Sequence, residues 1–211
     1  MSICLWISMS IKEEKAKLRE KIWKIMEEKN IARFPLPVRD KIPNFEGSEK
    51  AAEKVRELEV YKRAKIIFAN PDYAQKKIRE FALKDGKLLI MATPRLKQGY
   101  LLIEPEKVKG KEEFASTIKG AFLLGKRARE IPKPDLLITG CVAVDKKGNR
   151  LGKGYGYGDR EIRFFLEKFG KIPVITTVHD AQIVDSVPVE KGDTKVDIIV
   201  TPSKIIRVED E

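Results

Sequence analysis

From position 11 to about 28, apolar residues return every three or four positions. Ile11, Leu18, Ile22, Ile25 and Met26 share one side, and lysines and glutamates fill the other. That spacing predicts an amphipathic helix, with Ser10 placed to cap it. Prolines then interrupt the pattern, first in Phe34-Pro35-Leu36-Pro37 and again at Pro43. Proline fixes φ and donates no backbone hydrogen bond, so 34–47 is expected to be an extended, turning segment. Phe34, Leu36, Ile42 and Phe45 call for burial, which implies order there. Ser48 is placed to cap a second helix carrying Ala51, Ala52, Val55 and Leu58.

Beyond residue 65 the pattern alternates. Apolar runs at 66–69, 88–91, 136–138 continued at 141–144, 174–178 and 196–200 read as strands. Helical stretches at about 73–84, 111–129 and 160–169 separate them. Uniformly apolar strands alternating with helices predict an α/β fold, a mostly parallel sheet with helices on both faces. Residues 11–211 are expected to form a single domain after a loose tail over 1–10. Ligands in such sheets bind beyond the carboxyl ends of the strands, which directs attention to the loops after Ala69, Met91, Val144 and Val178.

Composition narrows the class. The 211 residues are 42% apolar and 36% charged, which excludes a disordered chain and predicts a heavily charged surface. Lys/Glu-rich helix faces resemble the ion-pair surfaces of thermophile proteins. The net charge of +11 suits an anionic substrate or nucleic acid. Acids alternate with bases, as in Lys12-Glu13-Glu14-Lys15, so most of that charge reads as solvated helix surface. No RNA-recognition motif with interleaved aromatics is visible, and nucleic acid is the less favoured partner. Cys4 and Cys141 suit neither a zinc knuckle nor a disulfide framework, which fits a reducing cytoplasm. The apolar segment 1–9 lacks a basic leader and is too short to span a membrane. Met9 offers an alternative start. Trp6 reads as tail and Trp23 as core; a monomer and a dimer are both open.

Candidate chemistry concentrates after residue 144. In Gly148-Asn149-Arg150-Leu151-Gly152-Lys153-Gly154-Tyr155-Gly156-Tyr157-Gly158-Asp159, glycine takes every second position from 152 to 158. Such a segment lets backbone N–H groups crowd around an anion, while Arg150, Lys153 and the start of the next helix add positive charge. It is neither a Walker loop nor a dinucleotide fingerprint. Two readings stay open: a cradle for the phosphates of a magnesium nucleotide, or a plain turn with Tyr155 and Tyr157 as core. Asp159 caps the helix or holds Mg²⁺; Asp193 is a second metal candidate or a turn residue. His179, after a strand, reads as structural before catalytic, and Arg95, at another strand end, as a contact for an anionic substrate or a surface arginine.

These residues resemble the 5-formyltetrahydrofolate cyclo-ligase family, also called methenyltetrahydrofolate synthetase. The likeness lies in Pro134-Asp135-Leu136-Leu137-Ile138, Ala143-Val144-Asp145, the stretch 148–157 and Asp159. Lys15-Ala16-Lys17-Leu18-Arg19 is similar to its N-terminal element, and Gln182, Val187-Pro188 and Asp193 to its later one. A closer likeness is to the divergent methenyltetrahydrofolate synthetase domain-containing branch. It rests on Arg19-Glu20-Lys21-Ile22-Trp23, Ile42-Pro43-Asn44-Phe45-Glu46-Gly47, Asn70-Pro71-Asp72, Thr93-Pro94-Arg95-Leu96 and Val178-His179-Asp180.

The resemblance implies a three-layer Rossmann-like fold of the CoA-transferase type. It implies ATP bound by Lys15, Arg19 and the loop Arg150, Leu151, Gly152, Lys153, Gly154, Tyr155, Gly156, Tyr157, with Lys15 and Arg150 catalytic. Mg²⁺ would sit on Asp159 and Asp193, and the substrate against Asn70, Arg95 and Tyr157. The implied reaction phosphorylates the formyl oxygen of 5-formyltetrahydrofolate, and attack from N10 with loss of phosphate gives 5,10-methenyltetrahydrofolate. This chain departs from the family where Asn70-Pro71-Asp72-Tyr73-Ala74-Gln75 has no matching Glu, and where Gly158 replaces a second Tyr. A folate-like substrate and another anionic metabolite are therefore both expectations.

Overall fold

The computed structural model describes residues 9–209; the expectations for Cys4, Trp6 and the rest of 1–8 fall outside the described residues. Helix α1 (Ile11–Glu28) opens with a capping box in which Ser10 and Glu13 satisfy each other's end of the first turn, as its spacing predicts. Two short strands, β1 (Ala32–Arg33) and β2 (Asn44–Phe45), pair antiparallel and bracket the proline segment. Ile42 and Phe45 are buried there, but Phe34 and Leu36 are 66% and 58% exposed, against expectation. Each lies just before a proline on the outward side of the loop. Helix α2 (Ser48–Glu57) starts at Ser48 but is not capped by it. Gly47, at φ 79°, is the N-cap, and a Cβ there would come within 2.7 Å of Pro202.

After α3 (Glu59–Arg63) comes the central sheet. Its strands are β3 (Ile66–Ala69), β4 (Leu88–Ala92), β5 (Tyr100–Ile103), β6 (Lys126–Arg127), β7 (Leu136–Thr139), β10 (Val174–Thr177), β12 (Ile198–Val200) and β13 (Ile205–Arg207). They lie in the order β13-β12-β10-β7-β3-β4-β5-β6. The five from β12 to β4 run parallel, and β13, β5 and β6 add antiparallel edges. The fold is α/β with a mostly parallel sheet, as the strand pattern predicts. The run at 136–144 is not one strand, however. It breaks at Gly140, and β8 (Ala143–Asp145) joins β9 (Arg150–Leu151) and β11 (Ile183–Val184) in a separate small sheet.

Side chains along each strand divide between two cores. Ile67, Leu89, Met91 and Ile138 point to the layer made by α1, α2, α4 (Lys76–Lys84), α5 (Glu112–Ala115) and α6 (Ile118–Leu124). Phe68, Ile90 and Leu137 point to the opposite layer, which α7 (Tyr157–Phe169) covers through Ile162 and Phe165. The helix expected over 111–129 is two short ones, because Thr117 accepts a hydrogen bond from the Gly120 amide and caps α6 afresh.

Candidate active site

Where β3, β4 and β7 end, the chain leaves the sheet at Asn70, Thr93 and Gly140, and these line a cleft of about 890 Å³. The loop after Val144 reaches it through Arg150 to Asp159, whereas no residue of 178–182 lines it. The facing wall is the glycine segment, which runs from β9 into the first turn of α7. Gly154 and Gly156 take φ of 111° and 71°, conformations that side chains disfavour, and Gly156 is the N-cap of α7. Among the described residues, the amides of Lys153, Gly154, Tyr155 and Gly156 have no hydrogen-bond acceptor. The first amides of α7 are free of helical partners by geometry and mark its positive end. A plain turn with buried tyrosines is not what forms: Tyr155 is exposed, Tyr157 is half-buried, and both line the cleft.

The cations behind this wall serve it in different ways. Arg150 is 2% exposed; its Nη1 donates to Asp159 at 2.7 Å and its Nη2 to the Gly140 carbonyl at 3.3 Å. Its Nε is buried without a partner among the described residues. Gly158 explains how the guanidinium fits, since a Cβ there would lie 2.4 Å from Arg150 Nη2. Arg19 reaches from α1 to donate to the Gly152 carbonyl at 2.7 Å and passes behind Gly154; burial lowers its pKa. Lys15 is buried between Asp193 at 2.6 Å and Glu190 at 2.7 Å. Burial opposes its charge, but the bonds from Asp193 and Glu190 outweigh it and raise its pKa. Lys153 stays on the cleft surface, 3.9 Å from Asp72.

The residues singled out from sequence therefore sort into two groups. Asn70, Arg95, Arg150, Gly152, Lys153, Tyr155, Gly156, Tyr157 and Asp159 line the cleft. Lys15, Arg19, Leu151, Gly154 and Asp193 do not; they form a second layer that binds α1, the 190–194 turn and the loop together. Asp159 is not the cap of α7 but sits in its first turn, where Oδ1 accepts from Arg150, from the Thr194 amide at 3.0 Å and from its hydroxyl at 2.7 Å. His179 caps a short 3₁₀ turn, its Nδ1 accepting from the Ala181 amide at 3.0 Å, away from the cleft. Arg95 lies at the mouth with φ 56°, an uncommon backbone state for a side-chain-bearing residue.

Two cleft residues escape motif reasoning. Arg79, fully buried on α4, ties the Asn70 and Asp72 carbonyls at 2.6 and 2.8 Å and the Ser116 carbonyl at 2.9 Å; burial lowers its pKa to about 10. Glu161, on the buried face of α7, accepts from the Asn70 amide nitrogen. Burial and then repulsion from Asp72 raise its pKa to about 8. Its signal in the sequence was an acid set among Ile162 and Phe165 on an apolar helix face.

Asp159 Oδ2 and Asp193 Oδ1 make no hydrogen bond among the described residues, so each acid keeps one oxygen available. No cluster of three or more His, Cys, Asp or Glu able to hold a metal alone occurs among the described residues. One or two carboxylate oxygens plus ligand phosphates is a set that Mg²⁺ accepts. Among the described residues, no helix is long and apolar enough to cross a membrane.

Comparison with known proteins places this geometry in context. The model of the 5-formyltetrahydrofolate cyclo-ligase family matches residues 11–202. The methenyltetrahydrofolate synthase domain-containing protein of Bos taurus is 40% identical over 207 residues, covering 91% of this chain and 53% of that protein. The 5-formyltetrahydrofolate cyclo-ligase of Escherichia coli is 41% identical over 71 residues, 34% of this chain and 38% of that one. The chain spans about half the length of the domain-containing relatives it matches. The Aquifex aeolicus 5,10-methenyltetrahydrofolate synthetase superposes with a TM-score of 0.60 at 22% identity, over 93% of this chain and 94% of that one, a likeness of fold.

Proposed function

Because the chain belongs to the 5-formyltetrahydrofolate cyclo-ligase family, we propose that it is an ATP- and magnesium-dependent enzyme that converts 5-formyltetrahydrofolate to 5,10-methenyltetrahydrofolate, with ADP and phosphate as the other products. The observation that carries this reading is the row of four amides at 153–156 without acceptors, set at the start of α7 beside Lys153. Such an array is electrostatically built for a phosphate chain. The cleft continues from it to Asn70, Tyr73 and Arg95, which leaves room for a second substrate next to the nucleotide.

In this reading the loop amides and Lys153 hold and orient the phosphates, while Asp159 and Asp193 would hold Mg²⁺. Magnesium, when bound, supplies charge neutralisation for phosphoryl transfer. Arg150 and Arg19 fix the loop's shape rather than travel with the substrate. Lys15 sets the position of Asp193. Tyr157 and Arg95 face the formyl-bearing substrate. The proline segment shelters the cleft from water on one side. Phosphoryl transfer of this kind demands positioning and charge neutralisation more than a general base.

The test is to incubate the protein with Mg-ATP and 5-formyltetrahydrofolate and follow methenyl-folate absorbance. Product formation dependent on both ATP and Mg²⁺ is expected. A second reading, an ATP-dependent enzyme acting on another anionic metabolite, is favoured by Asn70-Pro71-Asp72, which lacks the family's acidic residue. ATP binding without folate turnover would select it.

A further inference from the structure

The deepest acid in the cleft belongs to none of the motifs that mark the nucleotide loop. Glu161 stands two residues past Asp159, and 3% of its surface is accessible. Burying a carboxyl is costly unless it is partnered. Its one hydrogen-bond partner among the described residues is Asn70, which donates to Oε2; none of them bonds Oε1. Asn70 is itself held from two sides, its Oδ1 accepting from the Gly140 amide at 3.2 Å and its carbonyl from Arg79 at 2.6 Å. The acid is thus braced by a rigid strut, with one oxygen left over, on the lining of the cleft.

The neighbouring cations do not claim that oxygen. Arg150 is engaged with Asp159, Lys153 leans toward Asp72, and no salt bridge to Glu161 occurs among the described residues. Flat apolar surface surrounds this polar floor: Pro35, Pro37, Pro71 and Ile42 line the cleft with Tyr73, whose ring packs edge-on against Phe34 at 5.2 Å.

We propose that Glu161, oriented by Asn70, selects the second substrate by accepting a hydrogen bond from the exocyclic amino group of a flat heterocycle. This rests on the folate reading above for the kind of heterocycle, while the selecting residue comes from the geometry. A donor seated on Oε1 satisfies the one carboxyl oxygen that the described residues leave unbonded.

Pterin and lumazine test this directly, since they share an outline and differ in offering an amine or a carbonyl at position 2. Titration calorimetry at pH 7 compares the two on the wild type, Glu161→Gln and Glu161→Leu. One hydrogen bond made to Oε1 by the amine and lost with the carbonyl corresponds to a preference of roughly tenfold for pterin in the wild type. The preference falls to within about twofold in Glu161→Leu and shrinks in Glu161→Gln. Equal affinities in the wild type, binding of neither compound, or a preference that survives in both variants overturns the proposal. If Glu161→Leu fails to fold, Glu161→Gln alone decides by the same criterion. Neither compound carries a formyl group, so the result is independent of turnover. A pterin preference that tracks Glu161 in a protein that makes no methenyl product would remove the cyclo-ligase reading and leave this one standing.

Discussion

Glu161→Gln should uncouple the protein's stability from pH above the acidic range. Gln keeps the shape of the side chain and can still accept from Asn70. In the wild type, burial and then Asp72 lift the carboxyl from 4.5 to about 8, against the pull of Arg150, Asn70 and Lys153. In the unfolded chain the same group titrates near its ordinary value. Below about pH 4.5 both states hold the proton, so the group makes no difference. Between there and pH 8 the folded protein keeps a proton the unfolded chain has released, and stability falls as pH rises. At about 1.36 kcal/mol per tenfold change in proton affinity, the wild type loses on the order of 3–5 kcal/mol across that window. Urea unfolding followed by circular dichroism at pH 5, 7 and 9 measures it for both proteins. The expected result is convergence toward acid pH, with the variant progressively more stable toward pH 9. Stabilities that run parallel from pH 5 to 9 would refute the reasoning, because they would mean the carboxyl ionises in place at no cost.

Other perturbations separate scaffold from ligand contact. Arg150→Ala leaves the Asp159 carboxylate beside an empty, nearly solvent-free space and should cost about 3–5 kcal/mol in chemical denaturation, whereas a cation that only meets the nucleotide would leave stability unchanged. Lys153→Ala should do the reverse: an unaltered melting temperature, with Mg-ATP binding weakened about tenfold in calorimetry, the value of one charge-assisted contact. Gly158→Ala gains helix propensity but drives a methyl group to 2.4 Å from Arg150 Nη2, so a net loss of about 1–3 kcal/mol is expected; a more stable variant would show that Arg150 swings aside freely. His179→Asn keeps a capping side chain and should leave the pH profile of kcat/KM unchanged; a lost inflection would make the histidine a participant.

What could be read from the sequence follows physical range. Strands β3, β4, β7, β10 and β12 were legible because both faces are buried and their residues are mostly apolar. Strand β5 was not, because only every second residue of it is fully buried. The break after β7 was hidden by Cys141 and Val142, which are as buried as a strand although they form a connection. The glycine segment announced itself through composition alone. The partners of Lys15 and Arg19 could not be read, since they lie 133 to 178 residues away. Cations that look poised for phosphate from their motif instead brace the loop. Phe34 and Leu36 reverse the usual inference from hydrophobicity, as prolines hold the loop where those side chains face outward.

Helix α7 joins two duties that many proteins separate. Its N-terminal end carries Asp159 and Glu161 to the cleft, and four residues further on Phe165 packs against Phe68 beneath the sheet, at a centroid distance of 4.7 Å. Tyr100 stacks on the neighbouring Phe164 at 5.7 Å. A ligand that tugs on the near end of this rod must therefore be felt by the aromatic packing at its middle. Occupancy should be audible there, as slower amide exchange along β3 and β7 and as changed ring-flip rates for the aromatics, far from any atom the ligand touches.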